Sequence, residues 1–451
     1  MGKLRRGVGA AMVCSFLFVP AALAETLPDA LLKAYRSNPE LQAARARQRG
    51  TDELVPIAKS GWRPTVIARG TATQTWSDTT NTPADSRQSL SLNIELSQPV
   101  FRGFKTVEGI KSARDQVRAG QQELLGVEQN ILLRAVAAYM AVVRDQRLLG
   151  LRQQNVSNLQ KQVRAAVARF EAGEVTTTDV SQSRARLASA EAGVAVAKAN
   201  LKSSAASYEA VVGMKPGKLA KAHAADTPDT LDAALQHAKE INPSILQATS
   251  LFDASLHDIE VAKGDLLPEI SLQATGNLTL NPARGINQSE SATISGVVTV
   301  PIYQGGREYA SVRQAKQAAS EKQITIVTAT RSVRQQVTSA WHVLAASRES
   351  IVAAQAQVSA AQKALDGINQ EYLVGSRSTI DVLNAEQELL NARINQVAAE
   401  HDRIVASYQL QASIGRMTAR NLGLPGPYYD AEEHYQSVKD KWIGLDAETV
   451  E

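Results

Sequence analysis

Of the 451 residues only one is a cysteine, and only 4% are aromatic. Cys14 has no partner in the chain, so an internal disulfide framework is excluded. The 44% of hydrophobic residues are mostly Ala, Val and Leu, which with so few aromatics suits long helices packed on one another better than several compact cores. No apolar run reaches ~18 residues and mean hydropathy is −0.20, which excludes a helical membrane protein. Signs of catalysis are missing as well. The six histidines (His223, His237, His257, His342, His401 and His434) never fall at a metal-ligand spacing, and neither HExxH nor GxSxG occurs. The segment GMKPGKL at Gly213 has one residue too few between its glycines, and no Ser or Thr follows the lysine, so it is not a phosphate loop. Basic residues are interleaved with acids, which suits solvated helix faces more than nucleic acid. The expectation is a protein that is not an enzyme, without cofactor, metal or nucleic acid.

What is present begins with a processing signal. Lys3, Arg5 and Arg6 precede an apolar stretch from Val8 to Val19, then Pro20 and AALA ending at Ala24. A basic start, a short apolar run and a small-x-small site predict a signal peptide over residues 1–24, cleaved between Ala24 and Glu25. Three of the 49 basic residues leave with it, giving 46 against 45 acidic, and so does Cys14. No cysteine follows the site, which argues against an N-terminal lipid anchor.

The rest is written twice. Asn38-Pro39 recurs as Asn242-Pro243, and AKSGWRP (Ala58 to Pro64) as AKGDLLP (Ala262 to Pro268), 204 positions on. After the next loop the shift becomes 202, carrying QPVFRGF (from Gln98) onto VPIYQGG (from Val300) and RFEAGEVTTTDV onto EYLVGSRSTIDV. At ~185 residues the unit is too long for a solenoid repeat, so a duplicated half-molecule is expected. The repeats span residues 25–215 and 231–415, with a linker over 216–230 and a tail over 416–451.

Each unit holds three kinds of segment. A leading helix (Leu27 to Trp62; Leu231 to Leu267) is closed by a proline. A strand hairpin follows, over 64–99 and 268–301. Leu90, Leu92, Ile94 and Leu96 alternate with Ser91, Asn93 and Glu95, and Ile270 to Leu280 alternates likewise. Alternation over ~10 residues is the signature of a membrane-spanning β-strand. The polar stretches Ser77 to Gln88 and Asn281 to Glu290 read as hairpin loops.

The third segment is one very long helix over 104–171, and again over 306–373. It has no proline and measures ~100 Å at ~1.5 Å per residue. Ile110, Val117, Leu124, Ile131 and Ala138 repeat every seven residues, and after a step of four the sevens resume at Val142, Leu149, Val156, Val163 and Phe170. All ten positions are apolar again 202 residues later, which independent positions would manage roughly three times in 10,000. Such a stripe with a stutter predicts coiled-coil packing that unwinds locally. Glycine turns at Gly173 and Gly375 then lead to return helices over 178–213 and 379–415. By length, the first return helix stacked on the second leading helix would match the long helix.

Four strands with a lipid-facing row cannot close alone, and an open edge in hydrocarbon leaves backbone groups unpaired. Barrels start at about eight strands; two copies would supply 8 and three 12, and only the larger leaves a lumen. The polar second face of each strand favours a trimer around a water-filled pore, continued by the helices as a tube.

The two-copy layout, the junctions Pro99-Val100-Phe101 and Pro301-Ile302-Tyr303, and the turns FEAGEVTTTDV and YLVGSRSTIDV resemble the TolC family of outer-membrane channel proteins. The fold class implied is mainly α, an α-barrel of antiparallel coiled coils, with a transmembrane part of four β-strands per chain in a homotrimeric 12-stranded β-barrel. The resemblance also implies the outer membrane of a Gram-negative bacterium, with the helical tunnel in the periplasm. The partners implied are outer-membrane lipid, a periplasmic adaptor (membrane fusion) protein and an inner-membrane RND, ABC or MFS pump. The function implied is a passive duct for drugs, other small molecules or proteins, in efflux (multidrug resistance) or type I secretion.

At the turn ends, Thr178, Asp179 and Asp381 stand at helix starts, where the residues alone favour a capping role. The resemblance implies a gate instead. In it Asp381 lines a closed periplasmic entrance, which Tyr372 and Arg377 hold shut by bonding to Thr178 and Asp179. Asn384 stands where some members carry a second aspartate, so three acids rather than six would ring the entrance. Gly173, Glu174, Gly375 and Ser376 match the turns that adaptor hairpins touch. Trp62, Trp76, Phe101, Phe104 and Tyr303 flank the strands, as girdle residues or as packing at the helix–strand joint. Two other readings share the long helices: a periplasmic coiled-coil adaptor, against which Leu90 to Leu96 argues, and a surface adhesin, whose helices would not double back through glycine turns.

Overall fold

A computed structural model describes residues 24–447, so most of the expected signal peptide lies outside the described residues. Each repeat begins with a broken helical rod. In the first, α1 (Leu27–Ser37), α2 (Pro39–Asp52) and α3 (Leu54–Lys59) end in a single 3₁₀ turn, Ser60–Trp62. In the second, α6 (Leu231–Ile241) precedes α7 (Pro243–Gly264). The single leading helices expected from sequence are thus interrupted at Asn38 and Asn242. The following proline excludes each asparagine from the helical region, and their ψ angles are 122° and 123°. Each asparagine then caps the next helix: Asn38 Oδ1 accepts from Glu40 N at 3.0 Å and Asn242 Oδ1 from Ser244 N at 3.0 Å.

The same asparagines decide how the rods stack. Asn38 Nδ2 donates to Val211 O (2.9 Å) and Asn242 Nδ2 to Ser413 O (2.8 Å), at the ends of the return helices α5 (Thr177–Val212) and α9 (Thr379–Ile414). Terminal helix carbonyls need such donors. Each return helix therefore abuts the leading rod of its own repeat. This corrects the expected stacking of the first return helix on the second leading helix, because segment lengths alone fit both arrangements.

The long helices are α4 (Lys105–Glu171) and α8 (Arg307–Leu373), each of 67 residues. Their stripe is buried at mid-length, where Ile131, Ala135, Ala138 and Val142 in α4 recur as Val333, Val337, Ala340 and Leu344 in α8. Toward the glycine turns the α4 stripe is only half-buried and Phe170 is exposed, whereas α8 keeps Ile351 and Leu365 buried. The largest core lies at mid-height and gathers the linker and the tail. Glu25 N donates to Lys218 O (2.8 Å), and the tail adds Met417, Ala419 and Leu424. Arg45 stacks between the rings of Tyr35 and Tyr429, 4.6 and 5.0 Å from their centres, and buried Glu128 accepts from Ala419 N at 2.7 Å. The tail closes with α10 (Ala431–Val438), packed on α2.

At the other end stands one antiparallel sheet in the order β1 (Thr65–Thr79), β2 (Thr82–Arg102), β3 (Glu269–Ala283) and β4 (Ile286–Thr299). Most of the stretches expected as hairpin loops are strand: Gln74, Trp76 and Ser77 pair with Gln88, Ser86 and Asp85. Polar composition suits a ribbon projecting beyond lipid as well as a loop, so the sequence overestimated the turns. Strand leads to helix through two successive left-handed residues, Gly103 and Phe104 (φ 57° and 63°) in one repeat, Gly305 and Gly306 (φ 71° and 83°) in the other.

Candidate functional site

Two surfaces carry the sequence expectations, and the sheet is the first. The register aligns Ala72, Gly70, Ala68 and Val66 with Leu90, Leu92, Ile94 and Leu96, and these with Leu280, Leu278, Gly276 and Ala274. Ala274 and Leu272 continue to Ile294 and Gly296. One face is therefore an apolar band, about seven residues and ~25 Å tall on β1, β2 and β4 at ~3.3 Å per residue and longer on β3, where Leu278 and Leu280 face Glu290 and Gln288 of β4. The opposite face is polar, with Asn93 bonded to Asn277 and Ser91 3.3 Å from Thr279. Among the described residues the outer edges of β1 and β4 pair with nothing. Trp76 lies in the apolar column beyond the last leucines, while Phe101 and Phe104 stack edge-on at 5.1 Å at the helix joint. Among the described residues no helix is long and apolar enough to cross a membrane, which says nothing against this sheet.

The second surface is the far end of the long helices, where the two turns are built alike. Gly173 N donates to Phe170 O (2.9 Å) and Glu174 N to Arg169 O (2.9 Å); Gly375 N donates to Tyr372 O (3.1 Å) and Ser376 N to Glu371 O (2.9 Å). Both glycines have φ near +80°, where a side chain is strained. The return helices then start with capping boxes. Thr176 N and Oγ1 donate to Asp179 (3.0 and 2.8 Å), and Ser378 N and Oγ donate to Asp381 (3.0 and 2.7 Å). Those bonds hold the Asp381 carboxyl below its ordinary value. Capping is thus real at Asp179 and Asp381, while the capping hydroxyl is Thr176 and Thr178 is exposed in the first turn.

The expected latch is not formed within one chain. Arg377 Nε bonds Glu371 at 2.6 Å, and the Tyr372 hydroxyl lies 3.3 Å from Thr379 Oγ1. Two contacts that the sequence did not reveal tie the repeats together here. The Arg169 guanidinium lies 4.5 Å over the Tyr372 ring, and Arg186 Nη2 donates to Asn384 Oδ1 at 3.0 Å. Their partners sit about 200 positions apart, where no local pattern signals a meeting. Glu386, on α9, was also missed. Gln162 donates to one of its oxygens at 3.3 Å, the other is buried without a partner, and burial pushes its carboxyl up. Next to Gly375, Leu373 and Val374 are 70% and 80% exposed.

The family model for "Outer membrane efflux protein" matches residues 30–214 and 234–416, the two halves of the molecule. The chain belongs to that family. It is 42% identical over 434 residues to outer membrane efflux protein BepC of Brucella suis, covering 94% of this chain and 93% of that one. It is 26% identical to outer membrane protein TolC of Vibrio cholerae, over 90% of this chain and 96% of that protein. The fold matches the Campylobacter jejuni CmeC outer membrane channel with a TM-score of 0.78 at 16% identity, over 92% of this chain and 89% of that one. This family member is accordingly an outer-membrane channel-tunnel of the TolC type, its sheet in the membrane and its long helices in the periplasm.

Proposed function

We propose that three copies of this chain close their sheets into one barrel and their helices into one tunnel, a passive exit duct gated at the glycine-turn end. The observation that carries this is the apolar band running across all four strands to two unpaired edges. In hydrocarbon those edges need a partner, and three four-stranded sheets give a barrel wide enough for a lumen. The test is a disulfide scan across the seam, with a cysteine at Thr71 on β1 paired in turn with one at Ser289, Ser291, Thr293 and Ser295 on β4, in a Cys14→Ala background. One register should yield covalent trimers on denaturing gels. Monomers throughout, or ladders ending at dimers, would defeat the reading.

At the turns, Arg377 and Tyr372 would latch onto Thr178 and Asp179 of a neighbouring copy, since within one chain Arg377 stays on Glu371. Arg377 to a carboxylate is a charge-assisted pair, and exchanging Glu371 for Asp179 would switch the end from loose to shut. Three copies of Asp381 would ring the entrance, with neutral Asn384 held by Arg186. We assign the surface around Gly173, Glu174, Gly375 and Ser376, with exposed Leu373 and Val374, to a periplasmic adaptor working with an inner-membrane pump. Small-molecule efflux is the cargo reading we adopt, on the 42% identity to a protein named for efflux. The protein carries out no chemistry in this scheme.

A further inference from the structure

The tail climbs from the mid-height core toward the sheet. Three contacts fix its course: His434 Nδ1 lies 2.8 Å from Asp52 on α2, Lys59 at the end of α3 bonds Asp440, and the Arg63 guanidinium lies 4.7 Å over the Trp442 ring. Along both segments the residue numbers rise together, so the tail runs parallel to the α2–α3 rod and heads for β1, which starts at Thr65. Tyr435 packs on the buried cluster of Val55, Ala113 and Val117 on the way. Beyond these contacts the apolar side chains stand uncovered: Trp442 is 65%, Ile443 90% and Leu445 101% exposed. They arrive where helix gives way to strand, at Arg63, which follows the turn Ser60–Trp62 and leads into β1.

We propose that Trp442 to Leu445 is a membrane-interface anchor, seated in the headgroup region of the leaflet on the tunnel side of the outer membrane. The proposal rests on the channel reading, which sets the apolar band of β1 in hydrocarbon directly beyond Arg63. An amphipathic tryptophan ring is at home at headgroup depth. Ile443 and Leu445 gain by leaving water there. The occupant is lipid because the tail is continuous with the rim of the lipid-facing band. The anchor would tie the mid-height core, through α10, to the membrane and so hold the tunnel upright beneath the barrel.

The test uses the full chain in a Cys14→Ala background with single substitutions Ile443→Cys, Leu445→Cys, Gln436→Cys and Ile94→Cys. Each is labelled with a polarity-sensitive NBD group in vesicles of phosphatidylethanolamine and phosphatidylglycerol, with and without lipid spin-labelled near the headgroup. The probes at 443 and 445 should emit in the blue and be quenched ~2-fold or more by the spin label, while the probe at exposed Gln436 should not respond. Water-like emission at 443 and 445 would overturn the anchor. So would blue emission without quenching, which would place the segment against a neighbouring copy. Ile94 lies on the apolar band, and lack of quenching there would instead defeat the channel reading itself.

Discussion

Gly103 shows how much one residue can decide. Its φ of 57° already penalises a side chain, and a Cβ built there would lie 2.4 Å from the carbonyl oxygen of Gly264 on α7. Gly173 shares the left-handed conformation (φ 78°) but has open space around it. Gly173→Ala should therefore cost about 1–2 kcal/mol at that turn, whereas Gly103→Ala must also push strand and helix apart. We expect thermal denaturation to show a small shift for the first and a loss of folded yield for the second. Asp381 is decided by charge. Because its cap bonds hold its pKa below the ordinary aspartate value, it stays ionised throughout the neutral range. Channels with Asp381→Ala should lose divalent-cation block in planar bilayers at pH 6 to 8 (roughly neutral conditions); equal block would remove Asp381 from the entrance.

At the scale of elements, two asparagines and one glutamate govern how helices meet. Asn38 and Asn242 each cap a helix and bond the last turn of another, and both are buried. Asn38→Ala or Asn242→Ala removes the cap and leaves a carbonyl unpaired, about 1–3 kcal/mol each, to be read as a lowered midpoint in denaturant. Aspartate is no substitute, since it cannot donate to Val211 O or Ser413 O. Glu386 makes the stability of the α4–α9 seam depend on pH. Burial raises its pKa above the ordinary glutamate value, so the folded seam holds the proton more tightly than the unfolded chain does. Its stability is fullest below pH 4.5, falls as pH rises through the raised pKa, and then levels. Glu386→Gln should flatten that slope, measured as melting temperature against pH. A wild-type slope retained in the variant would assign the dependence elsewhere.

For the whole molecule, the glycine-turn end is held by two kinds of contact. The α4 stripe opens toward the turns, and polar and cation–π contacts there add to a small set of buried side chains, among them Val180, Leu365, Val382 and Leu383. Such contacts are exchangeable, as a gate requires. Arg377→Ala combined with Tyr372→Phe should raise single-channel conductance by preventing closure, while leaving the heat-stable oligomer intact. Unchanged conductance would show that the end is held by Arg169 and Arg186 instead.

The duplication, the long helices and the alternating strands were legible because each is a local period, and 202 residues of shift preserved it. The glycine turns were legible too, since only glycine takes their conformation without strain. Which rods stack, that β2 sits beside β3 and what Asn384 bonds to were not. Those depend on donors and acceptors brought together across about 200 residues, and segment length or composition fits more than one such pairing. Chain periodicity determined the elements and their amphipathic faces. Only the tertiary structure decided their neighbours, because a hydrogen bond is satisfied by position in space and leaves no period in the sequence.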